Sequence, residues 1–295
     1  MELRVLGYFL TVAREENITK AAALLHITQP TLSRQMMQLE EELGVRLFIR
    51  NHHRIVLTDE GMLLKRRATE ILSLAEKTER ELSTKESIRG DIAIGSGELM
   101  TFSCLAEILS AFQKEYPLVR FDLYSGNADS IKERIEKGLL DIGLLLEPVD
   151  IGKYECLDMP GEEIWGVLVH KDAPLADREG FTPADMLTQP MIMTKRTMVH
   201  NAIDGWLGGR FDQLQIIGTY NLLGNAATMV QQKAGIALGI RRNCVFDDVR
   251  FVPLSPKLAT KTVLVWKKHQ AVSPLVSAFV QFAKAYILRM TGDSI

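Results

Sequence analysis

The stretch "ITKAAALLHITQPTLSRQMMQLEEELG", Ile18 to Gly44, holds two helix-like apolar repeats separated only by "HITQP". Pro30 cannot sit inside one continuous helix, because it lacks a backbone donor and its ring clashes with the preceding turn. The segment is therefore two short helices meeting at a tight turn. Asn17 or Thr19 can cap the first, and Ala21, Ala22 and Leu25 give it an apolar face of small residues that lets another helix approach closely. Thr28 takes the cap position of the second, with Pro30 in its first turn, where a missing N–H costs nothing.

Upstream, Leu6, Phe9, Leu10 and Ala13 follow the spacing of one helix face, and Glu15, Glu16 and Asn17 end it. In the helix after the turn, Leu32, Met36, Leu39 and Leu43 form the stripe expected to be buried. At about 100° per residue, Pro30, Thr31, Arg34, Met37 and Gln38 fall on the opposite side, with Ser33 at the flank. That face is polar and short-chained near its N-terminus, with one cation. A merely solvated helix would more often carry Lys/Glu pairs four apart. Here acidic residues cluster only in Glu40 to Glu42, beyond the polar half. Such side chains suit the hydrogen bonding that reads base edges in a major groove. Met37 faces either a thymine methyl or a partner surface.

"RLFIRNHHRIVLT", Arg46 to Thr58, reads as a β-hairpin with Arg50 and Arg54 flanking its tip. After two helices and a turn, a basic hairpin has the form of a wing on the phosphate backbone or minor groove. Bulk charge does not decide the matter. The chain carries −2 overall, and residues 1–58 hold seven Lys/Arg against six Asp/Glu. Only the placement of charge points to nucleic acid.

This segment resembles the winged helix-turn-helix of the LysR-type transcriptional regulators. The resemblance rests on "NITKAAALLHITQPTLSRQMMQLEEELGVRLFIR" and "VLTDEG", a long pattern of alanines, TQP, LS, Gln, LE, LG and LF at fixed spacing. It implies DNA contacts from Thr28, Gln29, Pro30, Thr31, Ser33, Arg34 and Gln38, with Arg50, His53 and Arg54 in the wing. Domain 1–58 is thus expected to bind double-stranded operator DNA.

From Asp59 to about Glu86 there is no proline, and Leu64, Ala68, Ile71, Ala75, Thr78 and Leu82 recur every four or three residues. A helix of that length spans about 40 Å. Its stripe needs a partner, most simply the same helix of a second copy, so 59–87 is expected to be a dimerising linker helix, as the resemblance also implies. The other reading is an amphipathic helix packed on its own domain. Residues 88–90, within "TKESIRGD", are expected to form a hinge.

Thereafter "DIAIGSG", "VRFDLYSGN" and "LDIGLLLE" read as β runs separated by helical patterns, and a second set follows in "EEIWGVLVHKD", "PMIMTK" and "LQIIGTYN". This alternation predicts parallel sheets with crossover helices. The expected architecture is α/β and multi-domain: the winged head, the linker helix and a two-lobed, periplasmic-binding-protein-like (type 2) effector domain. One lobe would comprise 91–162 and 267–295, the other 163–266. The resemblance places a small-molecule effector between the lobes. By chain order the facing loops offer Ser96, Gly97, Glu98, Met100 and Thr101; Ser125, Gly126 and Asn127; Thr194 and Lys195, beside Arg196; and Gly239, beside Ile240. Glu98 there repels a carboxylate, recognises an amine, pairs with Lys195 or Arg196, or points to solvent; the sequence leaves these open.

The expected function is effector-responsive, sequence-specific transcriptional regulation by a homodimer or homotetramer, with RNA polymerase a further candidate partner. No GxSxG, HExxH or P-loop pattern supports an enzyme. The isolated Cys104, Cys156 and Cys244 make no CxxC pair, so no metal or other cofactor is expected; a thiol-based redox sensor is the alternative. A solute-binding protein would suit the two lobes but not the head. No run of about 18 uncharged apolar residues occurs, and "MELRVLGYFLTVAREEN" has no cleavage signature, so a cytoplasmic location is expected.

Overall fold

Helix α1 (Leu3–Glu15) buries Val5, Leu6, Phe9 and Val12, while Leu10 and Ala13 are only half-buried. It stops at Glu16, whose left-handed backbone (φ 50°) returns its amide to the Val12 carbonyl. These features come from a computed structural model that describes residues 1–50, 55–82, 88–242, 246–268 and 273–292. Two units, 1–85 and 86–295, are each considered by themselves.

In the first unit, α2 (Ile18–Leu24) is capped by Asn17, which accepts from the Lys20 amide at 3.0 Å. Its Ala21 and Ala22 are fully buried, as close helix packing requires. Helix α3 (Gln29–Leu43) starts after Thr28, whose hydroxyl bonds the Thr31 hydroxyl at 2.8 Å rather than capping the backbone. Leu32, Met36 and Leu39 form the buried stripe, but Leu43 is 38% exposed. The next inward position belongs instead to Glu40. Its buried Oε1 accepts from the amides of Leu47 (2.7 Å) and Phe48 (3.2 Å), fixing the chain as it enters β1 (Phe48–Arg50). Strand β1 pairs antiparallel with β2 (Ile55–Leu57) in the register Phe48–Leu57, Ile49–Val56 and Arg50–Ile55.

Helix α4 (Asp59–Leu82) begins hard against this hairpin: a Cβ on Gly61 would lie 2.2 Å from the Leu47 carbonyl oxygen, so only glycine fits. Its 24 residues span about 36 Å. Ala68 is fully buried and Leu64 and Leu72 pack with it in the core built by α1, α2 and α3. The expected seam therefore divides. Leu64 and Ala68 serve their own unit, which corrects their assignment to a partner helix. Ile71 and Leu74 are 36% and 42% exposed, with Met62 and Leu63 exposed as well. Ala75 is half-buried, Thr78 is exposed with its hydroxyl on the Leu74 carbonyl, and the Leu82 side chain lies outside the described residues.

In the second unit the chain forms β3 (Gly90–Ser96), α5 (Phe102–Glu115), β4 (Val119–Ser125), α6 (Ala128–Glu136), β5 (Ile142–Leu146) and β6 (Tyr154–Asp158). It crosses to a second lobe as β7 (Glu163–His170), α7 (Pro183–Met186), β8 (Pro190–Thr194), α8 (Thr197–Leu207), β9 (Gln215–Tyr220), α9 (Leu223–Gln231), β10 (Ile236–Ile240), β11 (Val249–Pro253) and β12 (Ala259–Thr260). It returns through β13 (Thr262–Lys267) to α10 (Pro274–Thr291).

The first sheet has the order β4-β3-β5-β13-β6, with β3 parallel to both β4 and β5 and β13 antiparallel to both its neighbours. The second has the order β11-β7-β10-β8-β9, with β12 beside the start of β7. Helices α5 and α10 cover one face of the first sheet, where Phe112 and Phe279 meet edge-on at 5.2 Å. In the second lobe α8 packs its Val199, Ile203 and Leu207 on one face and α9 its Ala226, Ala227 and Val230 on the other.

Two expected boundaries are corrected. Because β13 pairs with β5 and β6, the return to the first lobe comes at Thr262 rather than 267. The expected hinge at 88–90 is already part of that lobe: Ile88 packs on its core and Gly90 opens β3, its amide bonded to the Leu118 carbonyl. Among the described residues no helix is long and apolar enough to cross a membrane.

Candidate functional site: a DNA-reading helix and a cleft between two lobes

In the first unit, burial of Leu32, Met36 and Leu39 turns the opposite face of α3 outward. Thr28, Gln29, Pro30, Thr31, Arg34 and Gln38 are exposed and Ser33 is half-buried. Of these seven expected residues, Thr28 immediately precedes the helix and the other six lie on its first three turns. Arg34 makes no ion pair with a described residue, whereas Gln38 donates to Glu42 at 3.3 Å, toward the C-terminal end. Met37, 43% exposed, stands on the same side. Of the wing residues, Arg50 closes β1; His53 and Arg54 lie outside the described residues, as does the Arg50 side chain.

In the second unit, a cavity of about 110 Å³ opens between the two lobes. Gly97, Glu98, Gly126 and Asn127 line it from the first lobe and Thr194 from the second, as expected. Ser96 and Ser125 line a neighbouring cavity that shares Gly97, Glu98 and Leu99 with the first. The Ser96 hydroxyl is already spent on the Gly97 carbonyl at 2.7 Å. Asn127 uses its side-chain oxygen to cap α6 through the Ser130 amide at 2.9 Å.

Met100, Thr101, Lys195 and Gly239 are not in either lining. Their positions have physical causes. Glu163, fully buried where the chain first crosses between lobes, accepts from the amides of Met100 (3.1 Å) and Thr101 (2.8 Å) and from the Thr101 hydroxyl (2.9 Å). Thr262, on the return crossing, donates to the same hydroxyl at 2.9 Å. The donors at the start of α5 are therefore committed to the crossover strands. Lys195 is exposed. Gly239 lies under Leu223, whose methyl carbons would sit 2.8 Å from an added Cβ.

Sequence reasoning missed the apolar walls, Leu144, Leu146 and Trp165, and a cation, Arg242. Arg242 is only 14% exposed and pairs with Glu98 at 2.5 Å, a partner that was not among those the sequence offered for that carboxylate, Lys195 and Arg196. Its Nη1 is buried with no hydrogen-bond partner among the described residues. Arg196, rather than Lys195, supplies the other cation: it donates to the carbonyls of Leu146 (3.4 Å) and Pro148 (3.0 Å). Burial pulls its guanidinium below the usual arginine range, against a smaller opposing pull from the exposed Asp129. Burial likewise pushes the Tyr220 hydroxyl up, and that hydroxyl donates to the Leu238 carbonyl at 2.7 Å. Among the described residues no three His, Cys, Asp or Glu side chains converge as a metal site.

Comparison with known proteins accounts for both units. Residues 3–62 match the family described as bacterial regulatory helix-turn-helix protein, lysR family. Residues 85–287 match the LysR substrate binding domain. YybE of Bacillus subtilis (strain 168), an uncharacterized HTH-type transcriptional regulator, is 28% identical over 96% of this chain and 98% of its own. HcaR of Escherichia coli (strain K12), the Hca operon transcriptional activator, is 27% identical over 99% of this chain and 100% of its own. Among solved structures, full-length CbnR in complex with its target DNA has the same fold, with a TM-score of 0.73 and 21% identity over 97% of this chain and 100% of that one. With a helix-turn-helix in one unit, a two-lobed substrate-binding fold in the other, and the family matched across both, this chain belongs to the LysR family of DNA-binding transcriptional regulators.

Proposed function

We propose that this regulator binds double-stranded operator DNA as a homo-oligomer, through α3 and the β1–β2 wing, and that a small molecule in the interlobe cleft tunes that binding. One observation carries the DNA assignment. The N-terminal half of α3 is exposed along the whole polar face from Thr28 to Arg34, while its opposite face is core. A helix so presented has the shape and donors for a major groove, with Arg34 suited to a bidentate contact with guanine. Arg50, His53 and Arg54 would meet phosphate from the wing, positioning the helix without reading sequence. CbnR, which has this fold, was solved with its target DNA.

Self-association would use the outer face of α4, where Leu63, Ile71 and Leu74 stay exposed in a single chain. A dimer would match two related half-sites; a tetramer and a contact with RNA polymerase are the further partners of this reading, in the cytoplasm where operator DNA is accessible. The effector would act by favouring one arrangement of the lobes, and DNA must then change effector affinity by the same factor. No catalytic step and no metal is part of this scheme. The redox alternative finds no support at Cys104, whose thiol is buried and pushed up by that burial, the opposite of what a sensing thiolate needs.

The test is Arg34→Ala. Specific binding should weaken by about 1–3 kcal/mol with discrimination relaxed at one base position. Equal weakening on specific and random duplexes would reject base reading by this residue.

A further inference from the structure

The outer face of α3 carries one side chain that hydrogen bonding does not explain. Met37 is 43% exposed and stays outside the hydrophobic core that Leu32, Met36 and Leu39 build on the other side of the helix. Resting on the reading of α3 as the base-contacting helix, we propose that Met37 is a specificity-determining residue. It packs on the 5-methyl group of a thymine and so selects a T·A pair next to the pair that Arg34 reads.

The helical phase of Met37 matches that of Arg34. At about 100° per residue, Pro30, Arg34, Met37 and Glu41 fall within about 60° of one another, a single line of exposed residues along α3. The other exposed large hydrophobe of α3, Leu43, lies about 120° around the helix from Met37 and in the last turn. Met37 is also placed at the right depth. It stands three residues beyond Arg34, about 4.5 Å along the axis, while base pairs stack about 3.4 Å apart, so the two side chains address neighbouring pairs. Glu41, about 6 Å further on, is an exposed carboxylate that phosphates repel, and it marks where α3 leaves the groove. Met37 is inside that limit. The chemistry then names the base. A thioether donates no hydrogen bond, and the thymine 5-methyl is the one apolar group that the bases present in the major groove. The unbranched, polarisable side chain of methionine adapts to such a contact. Burying one methyl group is worth about fourfold in affinity, enough to bias a base position without rivalling a bidentate arginine.

The test uses full-length protein and duplexes enriched from a random pool, resynthesised with each thymine replaced in turn by deoxyuridine. That replacement removes the 5-methyl and keeps every hydrogen-bonding group of the base. In each half-site, one replacement, adjacent to the position whose preference Arg34→Ala erases, should weaken wild-type binding by about fourfold. Met37→Ala should bind the thymine and uracil duplexes equally while keeping the preference that depends on Arg34. Met37→Leu, which restores an apolar side chain of similar size, should bring a difference back. Uracil duplexes that weaken wild type and Met37→Ala alike would overturn the proposal, as would an enriched site with no thymine beside the Arg34 position. Met37→Ala protein that falls to the mass of one chain in the absence of DNA would also overturn it, by assigning Met37 to a contact between copies. The parent reading fails separately. A pool that yields no enriched sequence removes base reading by α3 altogether, whereas a sharply enriched site indifferent to the 5-methyl group removes only the role of Met37.

Discussion

Replacing Glu40 with alanine tests whether the reading helix and the wing are one mechanical piece. The Glu40 carboxylate, 8% exposed, accepts from the Leu47 and Phe48 amides at 2.7 and 3.2 Å. Both amides belong to buried residues, so removing the acceptor leaves two donors that water does not readily satisfy. Hydrogen bonds to a charged group contribute about 1.5–3 kcal/mol each, so the pair is worth about 3 kcal/mol at the low end. The Arg46 contact to Glu40, at 3.7 Å with Arg46 83% exposed, adds little. At 1.4 kcal/mol per factor of ten, amide hydrogen exchange at Leu47 and Phe48 should accelerate by roughly 100-fold in Glu40→Ala. Glu40→Gln, which keeps a neutral acceptor, should recover about half of that free energy, leaving roughly a tenfold effect. DNA affinity should fall in the same order, because the wing loses its fixed position beside α3. Wild-type protection of both amides in Glu40→Ala would refute the reasoning.

Charging the outer face of α4 with Ile71→Glu and Leu74→Glu together should lower the mass seen by light scattering to that of one chain; an unchanged mass would remove this face from the interface. Glu163→Ala strips the acceptor from the Met100 and Thr101 amides and the Thr101 hydroxyl, a loss of about 3 kcal/mol or more. Trp165, Trp206 and Trp266 are the chain's tryptophans and all lie beyond residue 85, so fluorescence-detected denaturation follows the second unit alone. An unshifted fluorescence midpoint in Glu163→Ala would show that the crossover does not depend on that carboxylate.

The winged head was legible because its information is local. Within 27 residues, a proline, two alanines and a leucine stripe fix a helix, a turn and a second helix. Strands β6 and β11 escaped notice because "YECLD" and "VRFVP" are short, mix polar with apolar residues, and lie at the edges of their sheets; only their neighbours β13 and β7 make them strands. An apolar repeat also does not say which partner it faces, and so Ala68 turned inward to its own core while Ile71 stayed exposed. At the cleft, chain order found the right loops and some wrong residues. Thr101 offered a hydroxyl, yet Glu163, sixty-two residues on, claims it. Arg242 reaches the cleft only because β10 lies between β7 and β8, a pairing that no local spacing encodes.

The central claim is that the exposed polar face of α3 reads base sequence. Selection of bound duplexes from a random pool by the full-length protein tests it most directly. The account predicts enrichment of a partly palindromic site, with one base position in each half-site losing its preference in Arg34→Ala. A pool that returns with no sequence enriched, or an enriched site equally sharp in Arg34→Ala and in Thr31→Ala, would contradict it.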